Sequence, residues 1–165
     1  MSDTYVECLV KGHSSVVTKI LKWLLIFLCA IFVVSMVYTN IIGLLLAVVS
    51  GVGAYFAGMY TDIEYEYLYL DKEISVDQIL GKAKRKRIGE YQVDRMEILA
   101  PASSYHLDDY KNRQVKVKDY SSAEPADERK QYVMYYEGGE KLLLTPNEEL
   151  VKAIRNVAPR KVFMD

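Results

Sequence analysis

The sequence predicts an α+β membrane protein, in which a transmembrane helical hairpin precedes an antiparallel β-barrel or sandwich capped by one C-terminal helix. Two apolar stretches follow one another directly, at Ile20–Tyr38 and Ile41–Met59. Alternating apolar and polar residues then predict strands, and an amphipathic segment ends the chain. We therefore expect an N-terminal cytoplasmic segment at 1–19, a two-helix transmembrane hairpin at 20–59 and a cytoplasmic β domain at 60–165.

Both apolar stretches have the length of a membrane span. Each forms about 28 Å of helix at ~1.5 Å per residue, against a hydrocarbon core roughly 30 Å thick. Lys22 is their one charged residue, and its side chain is long enough to reach the headgroups. Aromatic residues lie near the expected interfaces: Trp23, Tyr38, Tyr55 and Tyr60. A signal peptide has a shorter apolar core, and a buried soluble hairpin needs a larger partner surface, so a membrane hairpin is favoured over both.

The turn between the two stretches is short and uncharged. Asn40 tolerates the left-handed backbone of a tight turn, so we expect it at the tip and the helices as antiparallel neighbours. Small residues recur at helical spacing in the second stretch, where they let helix backbones approach closely. They are Ala47, Ser50, Gly51, Ala54 and Gly58. Their spacing favours packing within the hairpin, with a homodimer as the alternative.

Positive charge predicts the orientation of the hairpin. Lys11, Lys19 and Lys22 lie before or within the start of the first stretch. A basic cluster follows the second stretch and consists of Lys82, Lys84, Arg85, Lys86 and Arg87. Because Lys and Arg stay on the cytoplasmic side of a membrane, we expect a multi-pass protein of the cell membrane with both termini in the cytoplasm.

Charge balance and cysteine usage exclude some classes of function. The residues from 61 onward include 18 Lys and Arg and 20 Asp and Glu, a near-neutral balance that predicts no attraction to nucleic acid. The two cysteines are Cys8 and Cys29. Cys29 lies within a predicted membrane helix and Cys8 lies before it, so we expect no disulfide. We interpret Cys8 as an exposed thiol, with acylation as the alternative.

Period-two alternation predicts several strands after the hairpin. In chain order they lie around Glu64–Leu70, Ile74–Ile79, Ile88–Val93, Met96–Ile98 and Val115–Val117. A turn is expected at 71–73 and a bend at 94–95, and polar composition predicts loops at 101–113 and 121–129. The clearest hairpin joins 131–137 to 140–145, because Gly138 and Gly139 supply the positive φ angles of a tight turn.

A C-terminal helix is the best-defined element. We expect Thr145 as its N-cap, Pro146 at its first position and Glu148 to complete a capping box. Its apolar face is predicted to comprise Leu150, Val151, Ile154 and Val157. Pro159 ends it.

Four segments carry a resemblance to a known family: Tyr67–Leu70, Lys84–Arg87, Val93–Ile98 and Lys141–Val157. Their order resembles bacterial pleckstrin-homology-like (PH-like) domains fused to short membrane hairpins. The whole chain is also similar to an uncharacterised family of small membrane proteins from Gram-positive anaerobes. The resemblance implies a seven-stranded, partly open barrel capped by a helix. It also implies a module that binds lipids, peptides or neighbouring domains and catalyses no reaction.

The basic cluster is the candidate site for anionic lipid, because each basic residue near an anionic leaflet contributes about 1 kcal/mol. The alternative is a charged edge strand that discourages aggregation. The 14 tyrosines offer a second surface for peptides, but we favour core or membrane-edge positions for them.

No catalytic, cofactor or metal site is predicted. His13 and His106 are the two histidines, and no cysteine follows residue 29. Glycine-rich phosphate loops and nucleophile elbows are missing from the sequence. We therefore expect a membrane-anchored, non-enzymatic binding or scaffold module for a protein partner or anionic lipid. The alternative is a structural or accessory subunit of a larger membrane transport complex.

Overall fold

A computed structural model describes residues 5–39, 41–124 and 129–164. They form two units. The helical unit comprises Ser14–Ile63 and Leu80–Lys84. The β unit comprises the residues that precede Ser14, the segment Glu64–Ile79 and the chain from Arg85 onward. The predicted α+β class is confirmed, because two apolar helices, antiparallel strands and a C-terminal helix follow in that order.

The helical unit contains α1 (Val16–Thr39) and α2 (Ile41–Met59), both long and apolar enough to cross a membrane. Helix α2 has the predicted bounds. Helix α1 begins four residues before Ile20, because Ser15 caps it: the Val17 N–H donates to Ser15 Oγ at 3.2 Å. The predicted turn at Asn40 lies outside the described residues.

Small residues of α2 pack against α1 of the same chain. Ala47 and Ser50 are buried, together with Gly43 and Ala57, while Gly51, Ala54 and Gly58 are half-buried. A Cβ at Gly51 would lie 3.6 Å from Cys29 Sγ. That thiol donates to the Ala47 carbonyl at 3.4 Å. The small-residue face therefore serves packing inside the hairpin.

The first sheet has four strands in the order β1-β2-β3-β4. They are β1 (Val6–Lys11), β2 (Ile63–Leu70), β3 (Glu73–Leu80) and β4 (Lys84–Gln92). The β2–β3 turn lies at the predicted place, where Asp71 and Lys72 adopt φ angles of 49° and 65°.

Strand β1 was not predicted, since residues 1–19 were expected to lie outside the β domain. It pairs antiparallel with β2, with Val6 opposite Tyr69 and Lys11 opposite Glu64. Its side chains alternate between buried and exposed, as in a strand with one face on a core. The helical hairpin is therefore inserted between two neighbouring strands of one sheet.

The second sheet has the order β5-β7-β8-β6. Its strands are β5 (Met96–Pro101), β6 (Lys116–Asp119), β7 (Tyr132–Tyr136) and β8 (Glu140–Leu144). Strand β6 runs parallel to β8, and the predicted glycine turn joins β7 to β8. A short 3₁₀ helix at Val93–Arg95 forms the predicted bend, and a second at Tyr105–Tyr110 lies in the predicted loop. The described residues thus form two four-stranded sheets and no closed barrel. Strands β2 to β8 are seven in number, as the resemblance implies, and β1 adds an eighth.

Helix α3 (Glu148–Val157) begins later than predicted. Its N-cap is Asn147, whose Oδ1 accepts the Leu150 N–H at 2.9 Å. Thr145 was the expected cap, but its buried hydroxyl accepts the Ser122 N–H at 2.9 Å instead. Val157 is 37% exposed, and Ala153 takes the predicted place of Val157 on the buried face.

Tyr67 links the two halves of the β unit. Its side chain is fully buried, and its hydroxyl donates to the Tyr120 carbonyl and accepts the Thr145 N–H at 3.3 Å. Burial raises the pKa of the phenol above its ordinary value, so the hydroxyl remains a hydrogen-bond donor at alkaline as well as physiological pH. Tyr65 and Tyr69 are buried on the same strand face, so the core interpretation of these tyrosines is confirmed.

Replacing Tyr67 with Phe is expected to reduce the free energy of unfolding by about 1–3 kcal/mol, because two backbone groups lose a buried partner. Chemical denaturation of the full-length chain in detergent, followed by circular dichroism, measures the change. Tyr105→Phe is the matched control, since Tyr105 is 69% exposed. Equal midpoints for the two variants would contradict the role given to Tyr67.

Candidate functional site

The five residues of the predicted lipid site are all exposed. Lys82 lies in the turn between β3 and β4, and the other four begin β4, an edge strand of the first sheet. Residues that alternate along a strand point to opposite faces. The cluster therefore divides into two pairs, Arg85 with Arg87 and Lys84 with Lys86.

The two arginines of β4 are held by carboxylates of β2 and β3. Arg85 Nη2 lies 2.5 Å from Glu66 Oε2, and Arg87 Nε lies 3.1 Å from Asp77 Oδ1. Glu66 and Asp77 are only 3% and 4% exposed. A buried carboxylate without a partner destabilises a protein, so the main effect of these guanidinium groups is to stabilise the sheet.

The carboxyl group of Glu66 is subject to opposing effects on its pKa. Burial raises the pKa of its carboxyl, a hydrogen bond with Glu7 raises it further, and Arg85 opposes both. The Arg85 contact is short, yet Glu66 Oε2 has no aligned hydrogen bond. We therefore interpret the contact as an ion pair. Tyr5 donates to Glu7 at 2.9 Å, and this bond lowers the pKa of the Glu7 carboxyl.

The lysines of the cluster differ from the arginines. Across the described residues, Lys82, Lys84 and Lys86 make no ion pair. Lys82 follows Gly81, whose N–H donates to the Asp62 carbonyl at 2.7 Å. A Cβ at Gly81 would lie 3.2 Å from Met59, the last residue of α2.

One end of the helical unit is therefore net basic, with Asp62 as its one acidic residue among those described. A Cβ at Gly58, near the end of α2, would lie 3.8 Å from Lys22 Cε of α1. Lys19 lies one turn earlier on α1. The segment Leu80–Lys84, which includes Lys82 and Lys84, belongs to the same unit and packs through Gly81 against the end of α2. No charged residue occurs in the sequence from Leu24 to Tyr60, so the opposite end of the helices is uncharged. Such a basic end is suited to anionic headgroups.

A polar cavity of about 460 Å³ in the β unit brings together His13, Asp119 and Ser121. Ser121 Oγ lies 3.5 Å from His13 Nε2, but its hydroxyl donates to a carboxylate, whereas the hydroxyl of a nucleophilic serine donates to the histidine. The Ser121 hydroxyl donates to Asp119 Oδ1 at 2.6 Å, and the Ser121 N–H donates to the same atom at 3.0 Å. These bonds stabilise a turn.

The described parts of the chain contain no group of three His, Cys, Asp or Glu side chains that could hold a metal ion. Cys8 was expected to be exposed and is instead 3% exposed, because β1 turns it toward the core. Its Sγ lies 3.3 Å from Arg129 Nη1. This burial argues against acylation of Cys8.

Comparison with known families agrees with this architecture. The profile of the family described as "Bacterial PH-like domain (DUF6106)" matches residues 2–164. The chain belongs to this family. No curated protein and no solved structure matches the chain significantly. The matched residues include those of β1 and of both apolar helices as well as the β unit.

Sequence reasoning missed the division of the basic cluster and the strand β1. The division was visible as an alternation, since arginines and lysines take alternate positions from Lys84 to Arg87. The partners Glu66 and Asp77 also lie on segments predicted as strands. Their pairing with β4 depends on sheet register, which the sequence alone does not specify.

The arginine pair and the lysine pair are expected to have different effects on stability. Arg85→Gln with Arg87→Gln leaves Glu66 and Asp77 without partners and is expected to lower the melting temperature by at least about 4 °C. Lys84→Gln with Lys86→Gln, which removes the same charge, is expected to change it by less than about 2 °C. Thermal unfolding of both variants in detergent makes the comparison, and equal shifts would refute the division.

Proposed function

We propose that this PH-like protein is a membrane-anchored, non-enzymatic module that presents its β unit at the inner face of the cell membrane, where it binds anionic lipid. Family membership supports a binding or scaffold module in general. The two apolar helices support anchoring, since each reaches the length of a span. The basic end of the helical unit is the observation that carries the lipid assignment.

The pairing of β1 with β2 supports a single side for the β unit. Strand β1 precedes the hairpin and β2 follows it, yet six residues of each are in register. A paired sheet occupies one compartment, so a hairpin that spans the membrane must return to the side from which it left. The lysines at one end of the hairpin then favour the cytoplasmic side.

Lys82 and Lys84 are the residues that we assign to lipid. They are exposed, they belong to the same unit as the helices, and they have no ion pair among the described residues. Lys19 and Lys22 add charge at that end. Arg85 and Arg87 are excluded from this role, because carboxylates of the sheet already neutralise them.

Replacing Lys82 and Lys84 with Gln is expected to weaken the preference for anionic lipid by roughly ten- to thirtyfold, at about 1 kcal/mol per lysine. Spin-labelled phosphatidylglycerol and phosphatidylcholine, compared by electron paramagnetic resonance in nanodiscs that contain the full-length chain, report this preference. Higher salt is expected to reduce the wild-type preference as well.

The matched control replaces Lys72 and Lys116 with Gln, because both are exposed lysines of the β unit with no ion pair among the described residues. It removes the same charge and is expected to preserve the lipid preference. Equal losses in both double variants would assign the effect to net charge. An unchanged preference after loss of Lys82 and Lys84 would refute the lipid site.

A further inference from the structure

The last described residues of the chain pair with an edge of the second sheet. We call Lys161–Met164 the tail. The Leu99 N–H donates to the Lys161 carbonyl at 2.8 Å, and the Phe163 N–H donates to the Leu99 carbonyl at 2.9 Å. These bonds make a parallel bridge between Leu99 and Val162. Since β5 is the outermost strand of its sheet, the tail occupies an edge on which an extended peptide can add as a strand.

Side chains of the tail enter specific positions beside β5. Val162 is only 2% exposed. Phe163 stacks on His106 with ring centroids 3.7 Å apart and packs against a cluster of buried apolar residues in the second sheet. Lys161 Nζ donates to the Asp94 carbonyl at 2.8 Å. Backbone pairing together with defined sites for individual side chains is the means by which sheet edges recognise peptides.

The groove beside the tail contains a cavity and a guanidinium group that contacts a thioether of the tail. A cavity of about 430 Å³ lies next to Phe163 and Met164, with Tyr105, His106 and Pro159 in its wall. Arg155 Nη1 lies 3.4 Å from Met164 Sδ. A thioether is a weak acceptor, whereas a guanidinium binds a carboxylate strongly. A ligand with an acidic residue in place of Met164 would therefore suit this groove better than the tail does.

We propose that the edge of β5 is a docking site for an extended segment of a partner protein, which the tail occupies in its absence. The partner segment has a branched apolar residue at the place of Val162, an aromatic residue at that of Phe163 and a carboxylate at that of Met164. This inference rests on the proposed function as a binding module. It concerns a different surface from the lysines assigned to lipid.

The test uses a fluorescent peptide with the sequence of residues 158–164 and the chain in zwitterionic nanodiscs, which remove any contribution from anionic lipid. A chain that ends at Arg160 is expected to bind this peptide. The full-length chain is expected to bind it at least about tenfold more weakly, because a covalently attached tail competes at a millimolar effective concentration. Fluorescence anisotropy measures both affinities.

Two further peptides test the side-chain positions. Val162→Asp in the peptide is expected to abolish binding, because it places a charge in a buried apolar position. Met164→Glu is expected to tighten binding about two- to fivefold. Arg155→Gln in the truncated chain is expected to remove that gain, so that this variant binds the original and the Met164→Glu peptides with equal affinity.

Two outcomes overturn the proposal: a folded truncated chain that does not bind the peptide, or equal binding by both chains. If truncation prevents folding, hydrogen exchange in the full-length chain tests whether the tail is released locally from β5. The Leu99 amide is then expected to exchange at least about a hundredfold faster than the paired amides of β7 and β8, through local release of the tail. Exchange only by global unfolding would refute a displaceable tail.

The peptide test is independent of the lipid test, because the zwitterionic nanodiscs carry no anionic lipid. Failure of the peptide test leaves the lipid assignment standing, and failure of the lipid test leaves the docking site standing.

Discussion

The antiparallel pairing of β1 with β2 is the constraint on which the rest of the architecture depends. The chain leaves the first sheet at Lys11, passes through two apolar helices and re-enters the same sheet at Ile63. The outer edge of β1 is covered in turn, because the Ala123 N–H donates to the Lys11 carbonyl at 2.7 Å. Arg129 Nη1 contacts the Leu9 carbonyl at 3.3 Å. The first sheet is thus complete only when the residues before and after the hairpin have met.

The strand order of the first sheet explains how its buried charges are paired. Glu66 and Asp77 are almost fully buried on strands β2 and β3, and an edge strand supplies their counter-charges. The same strand presents lysines at alternate positions, which discourage pairing with another chain. A run of basic residues that looks like one surface in the sequence therefore divides into arginines that stabilise the sheet and two lysines, Lys82 and Lys84, that belong to the basic end of the helical unit.

Local patterns in the sequence predicted the local elements well. Helix α2 has the predicted bounds, and the turn at Gly138–Gly139 and the bend at Asp94 follow from residue chemistry. The N-cap of α3 was misplaced because Thr145 and Asn147 are both good caps, and a tertiary hydrogen bond from Ser122 decided between them. Strand β1 escaped notice because its six residues alternate only briefly and its partner lies more than 50 residues away. Pairing at that distance depends on the whole fold and not on neighbouring residues.

The most direct measurement of the central claim is a cross-link between β1 and β2. Glu7 and Leu68 lie directly opposite each other, within the Cα separation that a disulfide spans. With Cys8 and Cys29 replaced by Ala, Glu7→Cys with Leu68→Cys is expected to form an intramolecular disulfide on oxidation in native membranes. Glu7→Cys with Lys72→Cys is the mismatched control. Failure of the matched pair to cross-link, or equal cross-linking of the two pairs, would contradict the insertion of the hairpin between paired strands.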